Sequence, residues 1–185
     1  MGKFSDSIKP EHREFIKNQH LFFVATAPLS ADGRVNLSPK GLDCFRILGD
    51  KKVAYMDLIS SGNETSAHTL ENGRITFMFC SYDEKPWILR LYGKGFTALP
   101  GSDQWESYSK EFTIYPSTRQ IIVAEIDMVQ TSCGFGVPLF DYKGERDVHF
   151  EWADKKGAEG LNQYMKDNNL RSLDDLPTFI GLNIL

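Results

Sequence analysis

Apolar and polar residues alternate with a period of two along much of this chain, the spacing of strands that bury one face. LFFVATAPL (21–29) is a β-rich run, and Asp32-Gly33 after it marks a turn. In RVNLSPKG (34–41), Val35 and Leu37 alternate with Asn36 and Ser38. CFRIL (44–48), a Gly49-Asp50 turn and KKVAYMDL (51–58) repeat the arrangement, so a meander of antiparallel strands is predicted. RITFMFCSY (74–82) follows, then a turn over 83–86 and the long run PWILRLYGKGFTAL (86–99). Gly93 and Gly95 inside that run predict a bulge or a close backbone approach. RQIIVAEIDMVQTS (119–132) is the clearest strand.

Four stretches break this rhythm and read as helices. PEHREFIKN (10–18) has Pro10 in its first turn and Phe15 and Ile16 as its apolar face. GNETSAHTLEN (62–72) is capped by Asn63 or Thr65 and ended by Asn72-Gly73. SDQWESYSKEF (102–112) is capped by Ser102, and a tail helix over 153–168 carries Leu161, Tyr164 and Met165 on one face. CGFGVPLFDYKGERD (133–147) is a loop. With no repeat, low-complexity segment or dividing linker, residues 1–185 form one mainly β domain. Its expected parts are an N-terminal helix within 1–20, an antiparallel barrel over 21–132, and a loop with a C-terminal helix over 133–185.

Composition narrows the function classes. The 185 residues suit a single core, and the 12% aromatic content favours a β-rich one. A net charge of -4 gives no basic field for nucleic acid or an acidic membrane. No stretch approaches the roughly 20 apolar residues of a membrane span, and MGKFSDSIKPEHREF has no signal-peptide core. Gly2 fits a myristoylation pattern only loosely. Cys44, Cys80 and Cys133 are odd in number and lack a C-x-x-C pair, which reads as reduced thiols in a cytoplasmic protein. Asn63-Glu64-Thr65 satisfies the N-x-T glycosylation rule, but glycosylation requires secretion, and nothing else here points to it.

Catalytic signatures are sparse. The four histidines are scattered, with no HExxH, so no metal site is expected. GxSxG is missing, and Gly93-Lys94-Gly95 and Gly134-Phe135-Gly136 are each half of a dinucleotide fingerprint. Chemistry would therefore come from a bound organic cofactor. SSGNETSAH (60–68) suits one that ends in a phosphate. A helix N-terminus offers unpaired amides, Gly62 permits close approach, and Ser61, Asn63 and Thr65 add polar side chains. Lys40, at the end of a neighbouring strand, supplies formal charge, whereas Glu64 opposes an anion and should turn away. The same polar residues also serve as plain helix caps. His68 reads as a helix-surface or satisfied polar residue, and Trp87, Trp105, Trp152 and Tyr92 as packing residues.

The blocks R-V-N-L-S-P-K-G, A-Y-M-D-L, S-G-N-E-T-x-x-H-x-x-E-N-G-R-I, I-L-R-L-Y-G-K-G and V-Q-T-S-C-G-F-G-V-P occur in this order. Together, over about residues 10–175, they resemble the pyridoxamine 5′-phosphate oxidase-like FMN-binding split-barrel family, and within it a functionally undefined branch. The resemblance implies a six-stranded antiparallel split β-barrel that forms homodimers with FMN in the cleft between subunits. It implies an FMN-dependent oxidoreductase with an unidentified small-molecule substrate; a non-catalytic flavin-binding, haem-binding or deazaflavin-binding barrel is the alternative. Asn36, Leu37 and Ser38 would run beneath the ring, and Lys40 falls near the family's strand-end lysine. Asn63, Glu64 and Thr65 stand where better-known members carry a Ser-Arg-Lys-like phosphate clamp, with Arg74 or Arg90 as replacement cations. Cys133 and Gly134 resemble the segment that reaches the flavin from the partner subunit. Gly144–Trp152 does not reproduce the family's substrate-gripping Trp-Gln-Gly and Arg-x-His signature, which argues against vitamin B6 as substrate.

Overall fold

A computed structural model describes residues 2–184. Its strands are β1 (Lys3–Ser5), β2 (Phe22–Thr26), β3 (Asn36–Lys40), β4 (Phe45–Ile47), β5 (Lys52–Leu58), β6 (Arg74–Cys80), β7 (Trp87–Ala98) and β8 (Thr118–Cys133). They form one antiparallel sheet in the order β3-β2-β6-β7-β8-β5-β4, with β1 added to β8. The sheet curls around its core without the end strands β3 and β4 pairing, which is a split barrel. The resemblance implies six strands and the alternation shows seven runs; β1, of three residues, is too short to show a period of its own and makes the eighth. The other seven are those read from the alternation, with β4 inside the CFRIL run.

Phe22, Tyr55, Phe77 and Phe79 meet in the interior, with Phe22 and Phe79 stacked at 5.5 Å. β8 alternates only over its second half. Arg119 to Ala124 are all buried, because this stretch lies mid-sheet between β5 and β7 and is covered on both faces. The expected irregularity at Gly93 is present: pairing slips by one residue between Tyr92 and Gly93, leaving Asp127 of β8 unmatched. A Cβ at Gly93 would lie 2.0 Å from the Glu125 carbonyl oxygen, so only glycine fits.

Helices close the barrel. α1 (Pro10–Lys17) buries Phe15 and Ile16 as its pattern requires. α2 (Glu64–Glu71) lies over β2, β6 and β7, and Gly95 admits the Thr69 methyl. α3 (Asp103–Tyr108) is capped by Ser102, whose Oγ accepts from the Trp105 amide at 3.1 Å. The tail helix α4 (Val148–Asn168) begins before residue 153 and is broken at Gly157, whose positive φ (63°) is a conformation that favours glycine. Beyond it residues 169–178 fold back onto the barrel and lead into α5 (Phe179–Ile184), which the sequence pattern did not reveal. Among the described residues, no helix is long and apolar enough to cross a membrane.

Candidate functional site

β3 is an edge strand, and its period of two turns Asn36, Ser38 and Lys40 to one side. That side faces the start of α2 and the returning chain at 167–173, enclosing a cleft of about 580 Å³. Six of the ten predicted cofactor residues line it: Asn36, Ser38, Lys40, Ser61, Gly62 and Thr65. Leu37 is on the other face of β3, 61% exposed, so its side chain does not line the cleft.

A buried charge cluster forms the floor. Asp57 of β5 accepts from Lys40 Nζ at 2.9 Å, from Arg119 Nε at 2.8 Å and from Gln120 Nε2 at 2.7 Å. Burial by itself disfavours the charged carboxylate. The charges and hydrogen bonds of Arg119 and Lys40 outweigh it and hold Asp57 well below the usual carboxylate range. Lys40 and Arg119 outnumber Asp57 in this cluster, which is positive by itself, while the acidic Glu64 and Asp167 also line the cleft. Arg119 also donates through Nη1 to the Gly62 carbonyl at 2.8 Å and to Asn169 Oδ1 at 2.9 Å, fixing the turn before α2. Arg171 adds an exposed cation, ion-paired with Asp175 at 3.3 Å.

Asn63 departs from expectation. It occupies the N-cap position of α2, but its side chain neither caps the helix nor lines the cleft. Gln120 Nε2 donates to its Oδ1 at 2.7 Å, and its Nδ2 donates to the Asn169 carbonyl at 3.1 Å. Long-range partners thus consume both ends of the amide, and the first turn of α2 has no side-chain cap. Against expectation Glu64 also lines the cleft, with its carboxylate accepting from the Leu173 amide at 3.1 and 3.2 Å. Arg74 and Arg90 do not line the cleft: Arg74 donates to the Pro28 carbonyl and Arg90 to Ser132 Oγ. The arginines that do line it are Arg119 and Arg171. The sequence signal for Arg119 was its position beside Gln120 at the head of a strongly apolar strand.

The wall of the cleft is a chain of hydrogen bonds. Ser38 Oγ donates to Asn36 Oδ1 at 2.8 Å, and Asn36 Nδ2 donates to Thr26 Oγ1 at 3.0 Å and Thr65 Oγ1 at 3.2 Å. Thr26 Oγ1 lies 2.9 Å from His68 Nδ1. His68 is therefore no surface residue. It is fully buried against β2, and burial pushes its pKa below the ordinary histidine value. Its Nε2 has no partner among the described residues.

Cys133 and Gly134 lie elsewhere. Cys133 pairs with Trp87 at the far end of the β7–β8 ladder, and the Gly134 amide donates to the Pro86 carbonyl at 2.7 Å. Within one chain they are not brought to the cleft. A second cavity, of about 670 Å³, follows β3 past Lys40 and is lined by Gly41, Leu42, Arg146, His149 and Trp152 among others. His20 and Tyr142 stack at 3.6 Å on its rim, and Glu145 accepts from the Leu42 amide at 3.3 Å. Trp87 packs on Phe15 and Trp105 on the core, as expected of packing residues. Among the described residues, no group of three metal-ligating side chains comes together.

Comparison with known proteins adds the following. The family model for pyridoxamine 5′-phosphate oxidase matches residues 8–133. The pyridoxamine 5′-phosphate oxidase family protein ustO of Aspergillus flavus is 37% identical, over 96% of this chain and 78% of its own. Among solved structures, tagged HupZ of Group A Streptococcus superposes with a TM-score of 0.51 at 22% identity, covering 65% of this chain and 91% of that one. A candidate pyridoxamine 5′-phosphate oxidase from Lactobacillus delbrueckii gives 0.53 at 14% identity, covering 68% and 94%. These two structures share the fold.

Proposed function

The chain belongs to the pyridoxamine 5′-phosphate oxidase family, and on that premise we propose that it is an FMN-binding oxidoreductase acting as a homodimer on a small-molecule substrate. The observation that carries this reading is the cleft at the head of α2. It combines amides without a side-chain cap, the hydroxyls of Ser61 and Thr65, and a floor with excess positive charge. A phosphate dianion needs several donors at once, and this corner provides them. Lys40 and Arg171 are the cations with room to reach a ligand, whereas Arg119 is locked to Asp57 and acts through the charge it adds.

FMN fits the donor set. Its phosphate would sit at the start of α2, and its ring would lie along Asn36, Leu37 and Ser38 of the free edge of β3. Bound there, the flavin would supply hydride transfer, and the chain's part is to hold it, orient it and exclude water. The adjoining cavity at Gly41, Leu42 and Trp152 is the space for a substrate. Phe135, Leu139 and Phe140 are exposed in the loop after β8, a surface suited to a second copy that would deliver Cys133 and Gly134 to the flavin.

Purified protein is expected to carry flavin absorption, to release FMN on denaturation, and to oxidise NAD(P)H or another donor with turnover. Protein that is colourless, yields no flavin and binds none on titration would overturn the reading. Tight FMN binding without turnover for any donor would leave a flavin-binding module instead.

A further inference from the structure

We infer that His68, remote from the cleft surface, is a positioning residue that makes Ser38 a hydrogen-bond acceptor toward the ligand. This rests on the flavin reading above, and it goes beyond it by assigning the cleft wall a preference for one redox form.

The argument follows protons along the wall. Asn36 Nδ2 donates to both Thr26 Oγ1 and Thr65 Oγ1, so Thr26 spends a lone pair on Asn36. In the proposed arrangement the Thr26 hydroxyl donates to His68 Nδ1, 2.9 Å away, a direction set by the ring tautomer. An imidazole that accepts at Nδ1 and is neutral carries its proton on Nε2. That nitrogen is buried without a partner among the described residues, so the ring is placed for what Nδ1 does. With Nδ2 committed to the two threonines, Asn36 presents Oδ1 to Ser38, and the Ser38 proton is spent there. What Ser38 offers the cleft is lone pairs.

A lone-pair wall favours a ligand edge that carries an N–H. Two-electron reduction of a flavin places a hydrogen on ring nitrogen N5, which in the oxidised ring has only a lone pair. A ring edge reaching Ser38 is therefore held more tightly when reduced. Replacing His68 by leucine leaves the Thr26 proton with Asn36 as its only remaining acceptor. The amide then turns over, its Nδ2 donates to Ser38, and the Ser38 proton swings into the cleft. Glutamine at position 68 retains an acceptor for Thr26 and restores the original direction.

The test has two arms. In wild-type protein without added flavin, nitrogen NMR of the histidine rings, assigned with His68→Gln, is expected to show His68 as the Nε2–H tautomer. The Nδ1–H tautomer would overturn the inference, and this readout stands even if the protein binds no flavin, a result that would sink the flavin reading alone. In the FMN-loaded protein, His68→Leu is expected to lower the ratio of reduced to oxidised flavin affinity roughly tenfold. For a two-electron couple that is a midpoint potential about 30 mV more negative. His68→Gln is expected to keep the wild-type potential. Equal potentials for the two variants would refute the proposed role even with flavin bound.

Discussion

Two regions of the molecule carry residues that the sequence assigned to one cofactor, and they are built in opposite ways. At the head of α2, Lys40, Asp57, Asn63, Arg119 and Gln120 are buried or half-buried, and each is held by partners from distant parts of the chain. At the end of β8 and in the loop after it, Gly134 is held to Pro86, but Cys133, Phe135 and Gly136 are exposed, Phe135 to 83%. The first region is complete within one chain. The second has its apolar side chains in solvent, the condition of a surface that waits for another molecule. A site assembled between copies would need this division: a rigid half to bind the phosphate and an adaptable half to close over it.

Breaking the rigid half should have the largest effect. Asp57→Ala leaves Arg119 buried without its counter-charge, and a loss of about 3–5 kcal/mol is expected in the free energy of unfolding by urea. Next, Lys40→Ala with Arg171→Ala is expected to weaken FMN binding by one to two orders of magnitude, with urea stability far less affected than by Asp57→Ala, as measured by flavin fluorescence titration. Acidification sharpens the comparison further. His12, His68 and His149 all have pKa values lowered by burial, so the unfolded chain binds protons first. Their contribution to stability is complete above about pH 6.5 and is lost as pH falls from there through their folded values. Asp57 adds a second loss below about pH 4, as its carboxylate begins to protonate in the unfolded chain. Unfolding midpoints across pH should therefore show two steps, and His68→Gln should reduce the first. The smallest effect on the fold is expected from Phe135→Ser: within about 0.5 kcal/mol by urea, but with a shift toward monomer in sedimentation if the loop seats a second copy.

How far the sequence was legible follows from the range of the interactions involved. Strands such as 21–29 and 74–82 show their alternation locally, and the Gly93 irregularity needed only a glycine inside a strand. The cleft was half legible, because Asn36, Ser38 and Lys40 share a face by the same period of two. Asn63 misled because its partners, Gln120 and Asn169, are 57 and 106 positions away. A polar residue before a helix looks like a cap whatever long-range partner finally takes it. His68 was hidden for the same reason, since its threonine partner lies 42 positions back. Arg119 and Arg171 belong to no motif, and it is folding of the tail over the barrel that brings them to one cleft.

The burial of Asn63 has a consequence for how the protein can be made. Its Nδ2 is the atom to which an oligosaccharide would be attached, and in the fold that atom is 3.1 Å from a carbonyl inside the molecule. A sugar there would displace the returning tail, so sugar attachment and correct folding exclude one another. Routed through a secretory host, the nascent chain would present Asn63-Glu64-Thr65 to the transferase before the barrel closed. The modified fraction would then emerge as misfolded material, which Thr65→Val or production in a bacterial host would avoid.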